Sequence, residues 1–105
     1  MIKFEYIDSE KYSDIFDILL DDKKIGELNL CAHGWINKIE IKNKYRNKGL
    51  GKQIYKKIND ELLLKERNLS TELSLISLEA KRVWLSLEKE NKVKKIIGTN
   101  KYQFI

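Results

Sequence analysis

Arg46, Gly49 and Gly51 stand in the spacing Arg-x-x-Gly-x-Gly, inside the basic stretch Asn43-Lys44-Tyr45-Arg46-Asn47-Lys48-Gly49-Leu50-Gly51-Lys52. Ahead of it Ile39-Glu40-Ile41 alternates as a strand, and behind it an amphipathic helix begins at once. A strand feeding a glycine-bearing turn at a helix N-terminus can hold a phosphate. The N–H groups of the first turn have no partners within the helix, and the macrodipole places positive potential there. Glycines let a phosphate come close to the backbone. Two nucleotide signatures fail on spacing. A P-loop needs Gly where Arg46 stands and Ser or Thr where Gln53 stands, and a dinucleotide fingerprint needs a small residue where Ile54 stands.

The elements that must position this turn follow from periodicity. Phe4 and Tyr6, with Ile2, alternate as a strand, and the apolar run Ile15–Leu20 ends at a hairpin turn, Asp21-Asp22-Lys23-Lys24. Leu28, Leu30 and Ala32 alternate, and His33-Gly34 marks another turn. Trp35, Asn37, Ile39 and Ile41 then fall on one face of the next strand. Short connections predict an antiparallel meander. From Gly49 the period becomes four: Leu50, Ile54, Ile58 and Leu62, with Tyr55 and Leu63 beside them, predict a helix to Arg67 that closes at Asn68. Leu73–Leu78 reads as a buried strand, and Ala80, Val83, Trp84 and Leu87 mark a second helix. Two short strands around Gly98-Thr99-Asn100 end the chain. The strands before and after the first helix are expected to run parallel.

With 105 residues the chain is read as one domain, 1–105. Its net charge of +5 fits a lysine-rich solvated surface, a polyphosphate ligand or a nucleic acid. No segment approaches the ~20 apolar residues of a membrane span, and the first residues lack a signal peptide's apolar stretch. A lone cysteine, Cys31, fits a reducing compartment, so a cytoplasmic location is expected.

The stretch from Asn43 to Ile54 resembles the acetyl-CoA motif of the GCN5-related N-acetyltransferase (GNAT) family. Ser77–Leu87 is similar to that family's second helix, where an aromatic follows Ala by four positions, here Ala80 and Trp84. The resemblance implies an α+β fold with a central mixed, mostly antiparallel sheet of about six to seven strands and two main helices. It implies transfer of an acetyl group from acetyl-CoA to a primary amine by direct attack, with no metal. The N–H groups of Asn47, Lys48, Gly49, Leu50, Gly51 and Lys52 would hold the CoA pyrophosphate, with charge from Arg46 and Lys52. The backbone of Ile39 and Ile41 would pair with the pantetheine arm where the strand ending at Ile41 splays from the strand Leu73–Leu78. Ser77 and Glu79 would lie near the thioester, and an N–H near Ile41 would hold the oxyanion.

Two departures qualify what the resemblance implies. Trp84 stands where the family carries a general-acid tyrosine, and an indole N–H donates a hydrogen bond but does not supply a proton. Trp84 also fits a core position at helical spacing. The departing thiolate would then take its proton from Tyr102 or water, or leave unassisted. Glu40, His33 and Glu79 are the candidate bases, and Cys31 is a core filler with no adjacent base. The second departure is length: only Asp8 to Ser13 separates the first two strands, too few for the family's helix pair. The acceptor side is therefore expected to be open, suiting a lysine or N-terminus on a macromolecule, or a polyamine. Exposed sheet edges are compatible with a homodimer, and the sequence leaves the oligomeric state open. Two alternatives stand beside the enzyme: a CoA-binding protein of the same fold without turnover, and a small basic nucleic-acid-binding domain. For the latter, aromatics interleaved with basic residues on a sheet face are weak.

Overall fold

Alternation builds the first half of the molecule. In the computed structural model, which describes residues 1–31, 34–46, 48–62, 69–72 and 76–105, β1 (Ile2–Glu10), β2 (Ser13–Leu20), β3 (Lys23–Cys31) and β4 (Ile36–Ile41) form an antiparallel meander in that order. Asp21 and Asp22 both take positive φ, 50° and 69°, in a two-residue hairpin turn. That conformation matches the twist of the flanking strands, and Asp is among the residues that tolerate it. The Asp21 carboxylate also pairs with the N-terminal amine. Lys11 and Tyr12 join β1 directly to β2, so no helix walls that side.

Between β3 and β4 the register slips. Leu30 pairs with Ile36 but Asn29 with Lys38, leaving Asn37 as an extra residue. The bulge corrects the expectation that Trp35, Asn37, Ile39 and Ile41 share one face. Ile36 is buried with the core, Asn37 is exposed, and Ile39 and Ile41 pack against the core from its edge. One inserted residue inverts a period-two pattern.

The helix α1 (Leu50–Lys57) continues as a π-helical turn, Ile58–Leu62. Its stripe behaves as the spacing predicts: Ile54 and Ile58 are fully buried, and Leu50 and Leu62 pack beside them. Leu63, Arg67 and Asn68, the expected end of this helix, lie outside the described residues. Lys57 Nζ donates to the Ile2 carbonyl at 2.8 Å, which ties the helix to the outer strand and covers part of its open edge.

The next strand, β5 (Ser70–Glu72), comes earlier than Leu73–Leu78. Leu73–Leu75 lie outside the described residues, while Ser77 caps and Leu78 begins α2 (Leu78–Lys89). A short apolar run does not by itself separate strand from helix entry, and here its second half is helix entry. Asn91, at φ 59°, ends α2 in the left-handed conformation. The N–H groups of Asn91 and Lys92 return to the carbonyls of Glu88 and Leu87, both at 3.0 Å, satisfying the helix's last acceptors. β6 (Val93–Lys95) and β7 (Lys101–Phe104) follow.

The fold is α+β. The seven described strands form two sheets, β1-β2-β3-β4 and β5-β7-β6, rather than the single sheet expected. A parallel bridge between Trp35 and Ser70 joins them, with the Ser70 N–H on the Gly34 carbonyl at 2.9 Å. Among the described residues, the expected parallel pair meets at this one bridge. One core serves both sheets: Ile18, Ile25 and Leu28 from the first, Tyr102 and Phe104 from the second, and Ile54, Ile58, Trp84 and Leu87 from the helices. Among the described residues, no helix is long and apolar enough to cross a membrane.

Candidate functional site

A groove of about 480 Å³ opens between the β4 edge, α1 and α2. Ile39, Ile41, Ile54, Tyr55 and Val83 give it apolar walls. Arg46, Lys52 and Arg82 bring positive charge, and Glu40 and Glu79 bring negative.

The two motif glycines have different physical reasons. Gly49 is the N-cap of α1 at φ 74°, and a Cβ there would meet nothing within 4 Å. Its conformation favours glycine, and the space before the helix is open. A Cβ on Gly51 would lie 2.8 Å from Val83 Cγ2, so this glycine lets α1 approach α2. The left-handed φ explains Gly49, and helix packing explains Gly51. The α1 N-terminus carries neither a capping side chain on Gly49 nor an acidic residue in its first turn. Gly49, Leu50, Gly51 and Lys52 line the groove, so the helix brings its N-terminal partial positive charge to it.

The β4 backbone supplies the other polar surface. The Lys42 N–H donates to the Ile25 carbonyl of β3 at 2.8 Å, so by alternation the N–H and C=O groups of Ile41 and Ile39 face the opposite edge. No described strand pairs with that edge beyond Trp35. The Ile41 carbonyl is nonetheless occupied: Arg46 Nε donates to it at 2.7 Å. Lys52 pairs with Glu90, the C-terminal cap of α2, which Lys56 also approaches at 3.6 Å. The hydrogen bond from Lys52 holds the Glu90 carboxyl below the usual carboxylate range.

Of the sequence-predicted residues, Ile39, Ile41, Arg46, Gly49, Leu50, Gly51, Lys52, Ser77 and Glu79 come together on the groove. Glu40 borders it too, but its side chain pairs with Lys38 at 3.5 Å on the other face of β4, opposite Glu27. Lys48 is exposed and lies off the groove wall. His33 and Asn47 lie outside the described residues.

Trp84 takes the core position that its helical spacing predicts, and Tyr102 stands apart from the groove. Trp84 is 0 % exposed and off the groove, wedged between Tyr55 and Phe104 with ring centroids 5.1 and 5.5 Å away. Core packing has claimed its indole, whose Nε1 has no hydrogen-bond partner among the described residues. Tyr102 sits buried on β7, away from the groove. Burial raises its hydroxyl pKa, and the Glu88 carboxylate beside it adds to the shift.

Sequence reasoning missed Tyr45, Tyr55 and Arg82 on the groove wall. Tyr45 stands beside Arg46 in the motif and could have been found there. Tyr55 is 3 % exposed, and burial pushes its hydroxyl up to about 12. The nearby Trp84 indole opposes that shift slightly, without a hydrogen bond of ordinary geometry. Arg82 falls within one turn of Glu79 on α2, a face that periodicity alone assigns to solvent. Among the described residues, no group of three or more His, Cys, Asp or Glu could hold a metal ion. Comparisons with protein-family models, curated proteins and solved structures find no match for this chain.

Proposed function

We propose that the groove binds acetyl-CoA, or another acyl-CoA, and that the protein transfers the acyl group to a primary amine as a GNAT-like N-acetyltransferase. One observation carries this reading: a single groove joins a basic helix N-terminus, with no side-chain cap from Gly49, to a strand edge that no described strand covers beyond Trp35. The first suits a diphosphate, the second an amide-bearing arm that adds as a strand. Bound acyl-CoA would supply the acyl group as an activated thioester.

The chain's own residues then have distinct work. The first-turn N–H groups of α1 and the Arg46 and Lys52 charges bind the diphosphate. The Ile39 and Ile41 edge orients the arm, and an N–H on that edge stabilises oxyanion charge. We assign the amine proton to Glu79, exposed on the rim, because the Glu40 side chain lies on the other face of β4 with Lys38. With no helix between β1 and β2, a protruding lysine, an N-terminus or a polyamine can reach the site.

A second reading, a CoA-binding protein without turnover, is favoured by one observation. Neither Trp84 nor Tyr102 reaches the groove to protonate a leaving thiolate. Calorimetry and thiol release separate the possibilities. Acetyl-CoA should bind the native protein and bind Gly49→Asp at least about tenfold more weakly, because the new carboxylate competes for the same N–H groups. Thiol release with a lysine peptide or spermidine supports the enzyme, and binding without release supports the second reading. No binding sinks both, and salt-dependent RNA binding in its place would point to the nucleic-acid alternative.

A further inference from the structure

The Arg46 guanidinium spends its Nε–H on a neutral acceptor, the Ile41 carbonyl, at 2.7 Å. That carbonyl is the last on the β4 edge before the turn that leads to α1. An arm adding to this edge as a strand must bring an N–H to the carbonyl, and instead meets the N–H of Arg46. The arrangement closes the edge donor against donor.

We infer that Arg46 determines specificity by keeping the β4 edge closed to a pantetheine arm that arrives without a diphosphate. The inference rests on the CoA reading above. Arg46 is exposed and has no ion pair with a described carboxylate; among the described residues its side chain is held by the hydrogen bond to Ile41. Gly49, three residues on, leaves the space before α1 open. A diphosphate bound there offers the guanidinium charge-assisted, two-pronged hydrogen bonds, which are stronger than one bond to a neutral carbonyl. The side chain moves to the diphosphate, the Ile41 carbonyl is released, and the arm can pair. Diphosphate and arm therefore raise each other's affinity by the same factor. Short pantetheine thioesters are poor ligands, while the full coenzyme opens its own site.

Nuclear magnetic resonance tests this with inorganic pyrophosphate and pantetheine as separate probes. In the free protein the Arg46 Nε should show a coupling across the hydrogen bond to the Ile41 carbonyl carbon. Pyrophosphate should abolish it as the Gly49–Lys52 amides shift. Pantetheine should then saturate the Ile39 and Ile41 amide shifts at a concentration at least about fivefold lower than without pyrophosphate. In Arg46→Met, pantetheine should bind equally well with and without pyrophosphate. The inference is overturned if the coupling persists with pyrophosphate bound, if pyrophosphate leaves the pantetheine affinity of the native protein unchanged, or if pantetheine never moves Ile39 and Ile41. Failure of the CoA reading looks different: CoA itself would leave the Gly49–Lys52 amides unmoved.

Discussion

The two helices of this protein begin in opposite ways. At the start of α2 the Ser77 hydroxyl accepts from the Ala80 N–H at 3.2 Å, and Glu79 adds negative charge in the first turn. That end is satisfied from within. At the start of α1 the cap is a glycine in the left-handed conformation, the first turn has no acid, and the nearest charges are basic. Both ends face the same groove. The contrast shows which of them has room for an outside anion, and that it comes from leaving out a cap rather than from adding a special residue.

Four changes would break or sharpen that contrast. Gly51→Leu should cost about 3 kcal/mol in urea denaturation, because overpacking against Val83 pushes α1 from α2. A Val83→Ala partner should recover part of the loss, whereas a glycine needed only for ligand approach would show no such coupling.

The Tyr55 hydroxyl shows that α1 is anchored apart from its open end. Its pKa is raised by burial from the ordinary value of 10 to about 12. The folded state thus holds a proton that the unfolded chain releases first. The contribution is complete below the unfolded value and is lost as pH climbs toward 12, amounting to about 2–3 kcal/mol. Tyr55→Phe should flatten that part of the alkaline stability curve. Tyr102, raised in the same direction, would keep a remainder.

Ser77→Ala should lower stability by about 1 kcal/mol through loss of the α2 cap. The smallest effect belongs to Glu90→Gln. Releasing Lys52 from its exposed pair should tighten acetyl-CoA binding about two- to threefold at low salt, with the gain fading as salt rises.

Much of the fold was legible in local pattern. The turn at Asp21-Asp22, the α1 stripe and the alternation of strands and helices all depend on residues close in sequence, and the structure has them. The misses share a different cause. Asn37 is a single inserted residue with no compositional mark, yet it re-aims half of β4. Ser77, the cap of α2, stood inside an apolar run that strand and helix explain equally well. The need for Gly51 comes from Val83, 32 positions away, and the role of Trp84 from Tyr55 and Phe104 on other elements. The same holds for the groove. Its motif is local and readable, while the Arg46–Ile41 contact and the Arg82 wall depend on how the chain returns to itself.

The meander also sets a timetable for the chain's birth. Each of its strands pairs with its neighbour in sequence, so the sheet through Ile41 can assemble while later residues are still being synthesised. Until α1 follows, Ile18, Ile25 and Leu28 have no cover. The bond from Lys57 to Ile2 forms only when the helix emerges and turns back on the first strand. The nascent chain is therefore most in need of a chaperone between the completion of β4 and the arrival of the second helix.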